Sequence, residues 1–180
     1  LYIAPATMDL AGAAVELVDK ESREFKLQKS LMEIRNNYDY IIIDCPPSLG
    51  LLTINCLIAA DHILIPVQTE YYALEGLGQL LQTIDLIKDN IKPDISVLGA
   101  VLTMYDKRNT LSWQVKCELN DHFPHRVFNA VIPRNIRLTE APSHGMPISD
   151  YDGSSRGAHA YKRLADEIIQ CLEIVSQEVV

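Results

Sequence analysis

Apolar residues recur along this chain in two alternating rhythms. Short, nearly unbroken runs rich in Ile, Val and Leu occupy residues 1–4, 40–44, 62–67, 96–104 and 127–132. Between them lie longer stretches with apolar positions three and four apart, near 10–19, 22–36, 50–60, 73–90, 110–121 and 155–176. The last is the clearest, with Leu164, Ile168, Cys171, Leu172 and Val175 along one helical stripe. Runs that are apolar at every residue predict strands covered on both faces, as in a parallel sheet. Strands alternating with helices then predict an α/β fold with a doubly wound, mainly parallel sheet and helices on both faces, in a single domain over 1–180. Dense turn chemistry separates the elements at Asn36-Asn37, Pro46-Pro47, 90–93 and 149–157.

One run ends in an unusual way. In "YDYIIIDCPPSLG", residues 38–50, an apolar strand closes on an acid, then a cysteine and two prolines. Ligands in open parallel sheets bind beyond the carboxyl ends of the strands, which is where Asp44 falls. Four apolar residues followed by Asp form a Walker B pattern, in which the carboxylate holds Mg²⁺, often through water, beside nucleotide phosphates. The same pattern also describes an Asp that caps the following helix. Two prolines fix φ and remove two backbone donors, so the segment after Asp44 predicts a stiff loop.

Charge changes the picture in one place. The net charge is −8, yet residues 103–163 carry nine Lys and Arg against six Asp and Glu, a local excess of three positive charges. Residues 1–102 carry seven against fourteen, and 164–180 none against four. A basic segment in an acidic protein points weakly to a polyanion partner, although a solvated mixed-charge surface gives the same count. No run approaches the roughly 20 apolar residues of a membrane span, and no signal peptide opens the chain, so a cytoplasmic protein is expected. Cys45, Cys56, Cys117 and Cys171 form no C-x-x-C pair, which predicts reduced, mostly buried thiols. His122 and His125 are three apart but have no further ligand at a recognisable spacing, so capping or surface roles outweigh a zinc site or a Cys45–His pair. Ser48 sits in Pro-Ser-Leu-Gly, which is not the G-x-S-x-G elbow of serine hydrolases.

The stretch from Tyr38 through "LGLLTINCLIAADHILIPVQTEYYALEGLGQLL", then "LTMYDKR", "VIPRNIRLTEAPSHGMPISDYD" and "SRGAHAYKRLADEI", resembles the ParA/Soj chromosome- or plasmid-partitioning ATPases. These belong to the MinD/ParA superfamily of deviant Walker A P-loop ATPases. The resemblance runs from about Leu1 to about Ile169. It implies a P-loop NTPase-like fold, with ATP and Mg²⁺ as cofactors, Asp44 as the catalytic and magnesium-holding residue, and Pro133, Arg134 and Asn135 around the adenine. It also makes Glu70 a nucleotide contact, where a helix-start acid is the plain alternative. Arg108 and Arg137, with Lys107, are implied to bind DNA phosphates without regard to sequence, a task that suits the arginine fork. Lys116, Arg126, Lys162 and Arg163 could widen that patch.

The implied partners are a ParB-like protein, nucleoid DNA bound non-specifically, and a second copy of the chain in an ATP-closed homodimer. No membrane partner is expected, because the acidic 164–180 tail contrasts with the basic amphipathic helix of MinD-like proteins. The implied location is cytoplasmic and nucleoid-associated. The family's first strand and its KGGVGKT-like loop have no counterpart among the eight glycines of this sequence, none of which precedes Lys-Ser or Lys-Thr. This chain alone is therefore expected neither to bind ATP tightly nor to hydrolyse it. The alternatives are a non-catalytic DNA- or partner-binding module of the same fold and a MinD-like membrane-associated regulator.

Overall fold

Helices form largely where the apolar spacing places them. In the computed structural model they are α1 (Asp9–Glu16), α2 (Lys26–Met32), α3 (Leu51–Ala59), α4 (Ala73–Asn90), α5 (Thr110–His122), α6 (Ile136–Glu140), α7 (Ile148–Asp152) and α8 (Arg156–Glu178). Strands β1 (His62–Gln68) and β2 (Ser96–Thr103) pair with each other. The structure describes residues 1–46 and 48–178, with side chains through 174, so Pro47 of the expected stiff loop and the side chain of Val175 lie outside the described residues. The chain divides into two compact units, residues 1–63 with 80–96 and residues 64–79 with 97–180.

In the first unit α3 is the spine. Its Leu57, Ile58 and Ala59 are buried, as are Ile63, Ile84, Ile87 and Ile95. The stretch 22–36, expected as one helix, is broken into a 3-10 turn at Arg23–Phe25, then α2, then a 3-10 turn at Arg35–Asn37. Asn55 gives the reason for the first break. Its Nδ2 donates to the carbonyls of Arg23 (2.9 Å) and Leu51 (3.0 Å), while its Oδ1 accepts from the Leu27 amide (3.1 Å). A buried side chain thus takes over backbone groups at the start of α2. Ser22, with φ 50°, reverses the chain just before. Below α3, the Arg35 guanidinium forks onto both oxygens of Asp61 (2.9 and 2.8 Å), and the Lys92 ammonium donates to the carbonyls of Ile58 (2.9 Å) and Ala60. Burial disfavours the charged form of Lys92, so its pKa lies below the ordinary lysine value.

Two expected strands, 1–4 and 40–44, are not strands. Neither segment makes a backbone ladder hydrogen bond among the described residues. A strand exists only through such a neighbour, and without one the apolar runs stay open to water: Ile42 is 94% exposed. Tyr2 stands edge-on to Tyr38, with ring centroids 5.7 Å apart.

β1 and β2 form a two-stranded pair. The Asp61 carbonyl accepts from the Ser96 amide (3.2 Å) at one end, and the Thr103 carbonyl accepts from the Thr69 amide (3.1 Å) at the other, so β1 and β2 run parallel. In the second unit the expected strand 127–132 lies along β2, and among the described residues it forms parallel bridges at Ala100–Val127 and, past the end of β2, at Tyr105–Pro133. Between these points residues 129–131 leave the ladder, and the Asn129 amide turns instead to the Glu167 carboxylate of α8 (2.8 Å). Gly99, at φ 154°, permits the close approach of this segment, because a Cβ there would stand 2.7 Å from the Arg126 carbonyl. The core joins Val101, Phe128, Ala130 and Ile132 to Ala160 and Leu164 of α8, whose partly buried Ile168 extends the stripe.

Candidate functional site

In the second unit three chain segments end side by side: β1 at Gln68, β2 at Thr103, and 127–133 after Pro133. The parallel bridge between Tyr105 and Pro133 sets the last two in register, and the Tyr105 carbonyl then accepts from the Arg134 amide (3.0 Å). Beyond the ends of β2 and of 127–133 opens a cleft of about 500 Å³ lined by Thr103, Met104, Pro133, Arg134, Asn135 and Tyr161, among others. Its position follows the rule for parallel sheets, and its volume is of small-molecule size. Ile132, Pro133 and Leu138 give the cleft apolar walls, while Arg134, Asn135 and Thr139 place polar groups at its edge.

Two of these polar groups hold local structure. Asn135 caps α6, with its Oδ1 accepting from the Arg137 amide (2.8 Å). Arg134 pairs with Glu70 at 3.4 Å, which ties the loop after β1 to the cleft edge. Sequence reasoning missed Met104, Thr139 and Tyr161 as lining residues. It also missed the buried Thr69, whose hydroxyl donates to the Met104 carbonyl (3.1 Å).

Lys107 and Arg108 lie on the loop after β2, and Arg137 lies in the first turn of α6, which follows the 127–133 segment. Arg108 projects from the loop after β2 with its side chain 91% exposed, and its Nε and Nη2 each stand 3.2 Å from Asp106. That hydrogen bonding holds the Asp106 carboxyl below the ordinary Asp range and pushes the Arg108 guanidinium up. Arg137 is more committed: it meets Glu140 at 2.9 Å and Asp152 at 3.4 Å. The Glu140 hydrogen bond is the main cause of its raised pKa. Lys107 is exposed.

Asp44 lies in the first unit, exposed, after the unpaired 40–43 run. The loop behind it is pinned to α3 by the Thr53 hydroxyl, which is shared between the carbonyls of Pro46 and Ser48. The neighbouring Cys45 is exposed, contrary to the expectation of mostly buried thiols, because the loop that carries it is open to water. A hydrogen bond from Cys56 outweighs desolvation and the nearby Asp44 charge, and holds the Cys45 thiol at about 7; the same bond and burial push Cys56 up. Among the described residues no group of three or more His, Cys, Asp and Glu could hold a metal. A single free carboxylate fits magnesium, which keeps most of its waters and leans on one or two carboxylates plus phosphate oxygens. Among the described residues no helix is long and apolar enough to cross a membrane.

A family model described as an AAA domain matches residues 1–97. The chain is 55% identical over 168 residues to the sporulation initiation inhibitor protein Soj of Bacillus subtilis, covering 93% of this chain and 66% of that protein. It is 52% identical over 170 residues to the chromosome partitioning protein ParA of Myxococcus xanthus, covering 94% and 60%. The chain belongs to the ParA/Soj family. It thus spans less than two thirds of the length of these relatives.

A solved structure of cobyrinic acid a,c-diamide synthase from Mycobacterium smegmatis with bound ADP and magnesium superposes with a TM-score of 0.79 at 37% identity, over 94% of this chain and 62% of that one. The ParA/Soj chain therefore has the P-loop NTPase-like α/β fold with a parallel sheet, as its sequence pattern predicts. The difference in name between the synthase and Soj shows that the fold alone does not fix the activity.

Proposed function

We propose that the protein is a ParA-type partitioning ATPase. In this reading Asp44 holds magnesium through water, Pro133 to Asn135 hold the adenine, and Glu70 contacts the nucleotide. Magnesium, when bound, neutralises phosphate charge and orients the terminal phosphoryl group. Of this chain's own groups, Asp44 supplies the carboxylate, and the loop behind it is held to α3 by Thr53. The Pro133 ring and the apolar walls of the cleft offer an apolar surface for a base, with the side chains of Arg134 and Asn135 in the same lining. ATP-dependent dimerisation, non-specific DNA binding through Arg108, Arg137 and Lys107, and stimulation by a ParB-like partner complete the cycle, in the cytoplasm on the nucleoid. The observation that carries this reading is the cleft at the carboxyl ends of parallel strands, walled by the same Pro-Arg-Asn segment that lies within a 55% identical match to Soj.

The DNA half of the proposal is tested by fluorescence anisotropy on unrelated duplexes, using protein expressed from its complete reading frame with ATP and magnesium. Log affinity should fall linearly with log salt, and Arg108→Ala with Arg137→Ala should lower the slope by about 2 for all sequences alike. An affinity indifferent to salt, or unchanged in the double variant, contradicts it.

A further inference from the structure

At the end of β1 a directed chain of hydrogen bonds links three elements. The Asp106 amide donates to Ser112 Oγ (3.5 Å), Ser112 Oγ donates to Thr69 Oγ1 (3.1 Å), and Thr69 Oγ1 donates to the Met104 carbonyl (3.1 Å). Each hydroxyl gives one proton and takes one. Thr69 is 2% exposed and Ser112 1%, so each would lose its partner without access to water if the chain were broken. Packing alone does not call for this arrangement, since valine matches threonine in shape and alanine nearly matches serine.

What the chain holds is unusual in itself. Met104 has φ 54°, the left-handed region that a residue with a side chain enters only at a cost. Met104 and Thr103 line the cleft, and the carbonyl of the next residue, Tyr105, holds the Arg134 amide (3.0 Å). If residue 104 relaxed to ordinary backbone angles, its side chain would leave the cleft wall and the Tyr105 carbonyl would rotate away from Arg134.

We propose that Thr69 and Ser112 are positioning residues for the nucleotide cleft: their paired hydroxyls keep Met104 in its left-handed conformation and thereby fix the wall against which the base is held. The proposal rests on the reading of the cleft given above. Neither residue touches the ligand. Their effect is exerted through the backbone of 104 and 105.

The test compares Thr69→Val, Thr69→Ser and Ser112→Ala in the protein expressed from its complete reading frame. The dissociation constant of a fluorescent ATP analogue with magnesium is measured together with the urea midpoint, at a temperature where every variant is folded. Thr69→Val should weaken nucleotide binding about tenfold, Thr69→Ser should return it to within about twofold of wild type, and Ser112→Ala should fall between. A residue that adds only stability would shift the urea midpoint and leave the affinity of the folded protein unchanged. Wild-type affinity in Thr69→Val overturns the proposal, as does a Thr69→Ser variant as weak as Thr69→Val, which would assign the effect to the methyl group. Should Thr69→Val not fold, Ser112→Ala decides by the same criterion. Failure of the wild-type protein to bind the analogue overturns the reading of the cleft itself, and the proposal with it.

Discussion

Replacing Asn55 with leucine removes three hydrogen bonds at one stroke while keeping the side chain's shape. The Arg23 and Leu51 carbonyls lose their donor and the Leu27 amide loses its acceptor, at a position 4% exposed. At a net contribution of about 1 kcal/mol for each bond, the variant should be less stable by roughly 3 kcal/mol. For a chain of this size that corresponds to a fall in Tm of about 6 to 12 °C. Urea unfolding followed by circular dichroism measures the loss, and amide exchange at Leu27 reports whether the start of α2 has come free. Asn90→Ala is the control: its Nδ2 donates to the Leu86 carbonyl (2.8 Å) on an exposed helix face, and its removal should cost less than about 0.5 kcal/mol. Equal losses in the two variants would refute the claim that Asn55 ties residues 23–27 to α3.

Two further outcomes follow from single contacts in the second unit. A Cβ at Gly157 would stand 2.6 Å from Leu138 Cγ, so Gly157→Ala should push α8 away from α6 and cost about 1 to 3 kcal/mol in urea unfolding; a neutral result would mean that Leu138 moves freely aside. The second concerns pH: hydrogen bonds from Arg108 depress the folded pKa of Asp106, so its contribution is complete above the ordinary Asp value of about 3.9 and is lost as pH falls through the lowered folded value. An NMR titration of Asp106 should show the low midpoint, and Arg108→Ala should raise it only part of the way, because the backbone amide of residue 108 still donates to Asp106 (2.9 Å).

The long helices were legible because their stripes are long. The span 73–90 read from periodicity is the span α4 occupies, and the Leu164 and Cys171 positions read on α8 are buried. Helices α6 and α7, at five residues each, are too short for a 3.6 period to register. The run at 40–44 was legible as apolar and not as exposed, since burial depends on a neighbour that local sequence does not specify. The break at 129–131 depends on Glu167, 38 residues away, and could not be read locally.

At the site, the strand-end position of Pro133 to Asn135 could be anticipated from turn chemistry and motif. The Glu140 partner of Arg137 lies three residues on and is visible in a helical reading, whereas Asp152 is not. Thr69 and Ser112 read as ordinary polar residues, because their pairing across 43 positions exists only in the fold.

The account stands most directly on magnesium-dependent nucleotide binding. Titration of a fluorescent ATP analogue into protein expressed from its complete reading frame, with magnesium and then with excess chelator, compares wild type with Asp44→Asn. The predicted result is an affinity that drops on chelation in wild type, and an Asp44→Asn variant about tenfold weaker with magnesium but matched to wild type without it. Binding that ignores magnesium, or an Asp44→Asn variant equal to wild type in its presence, would contradict it.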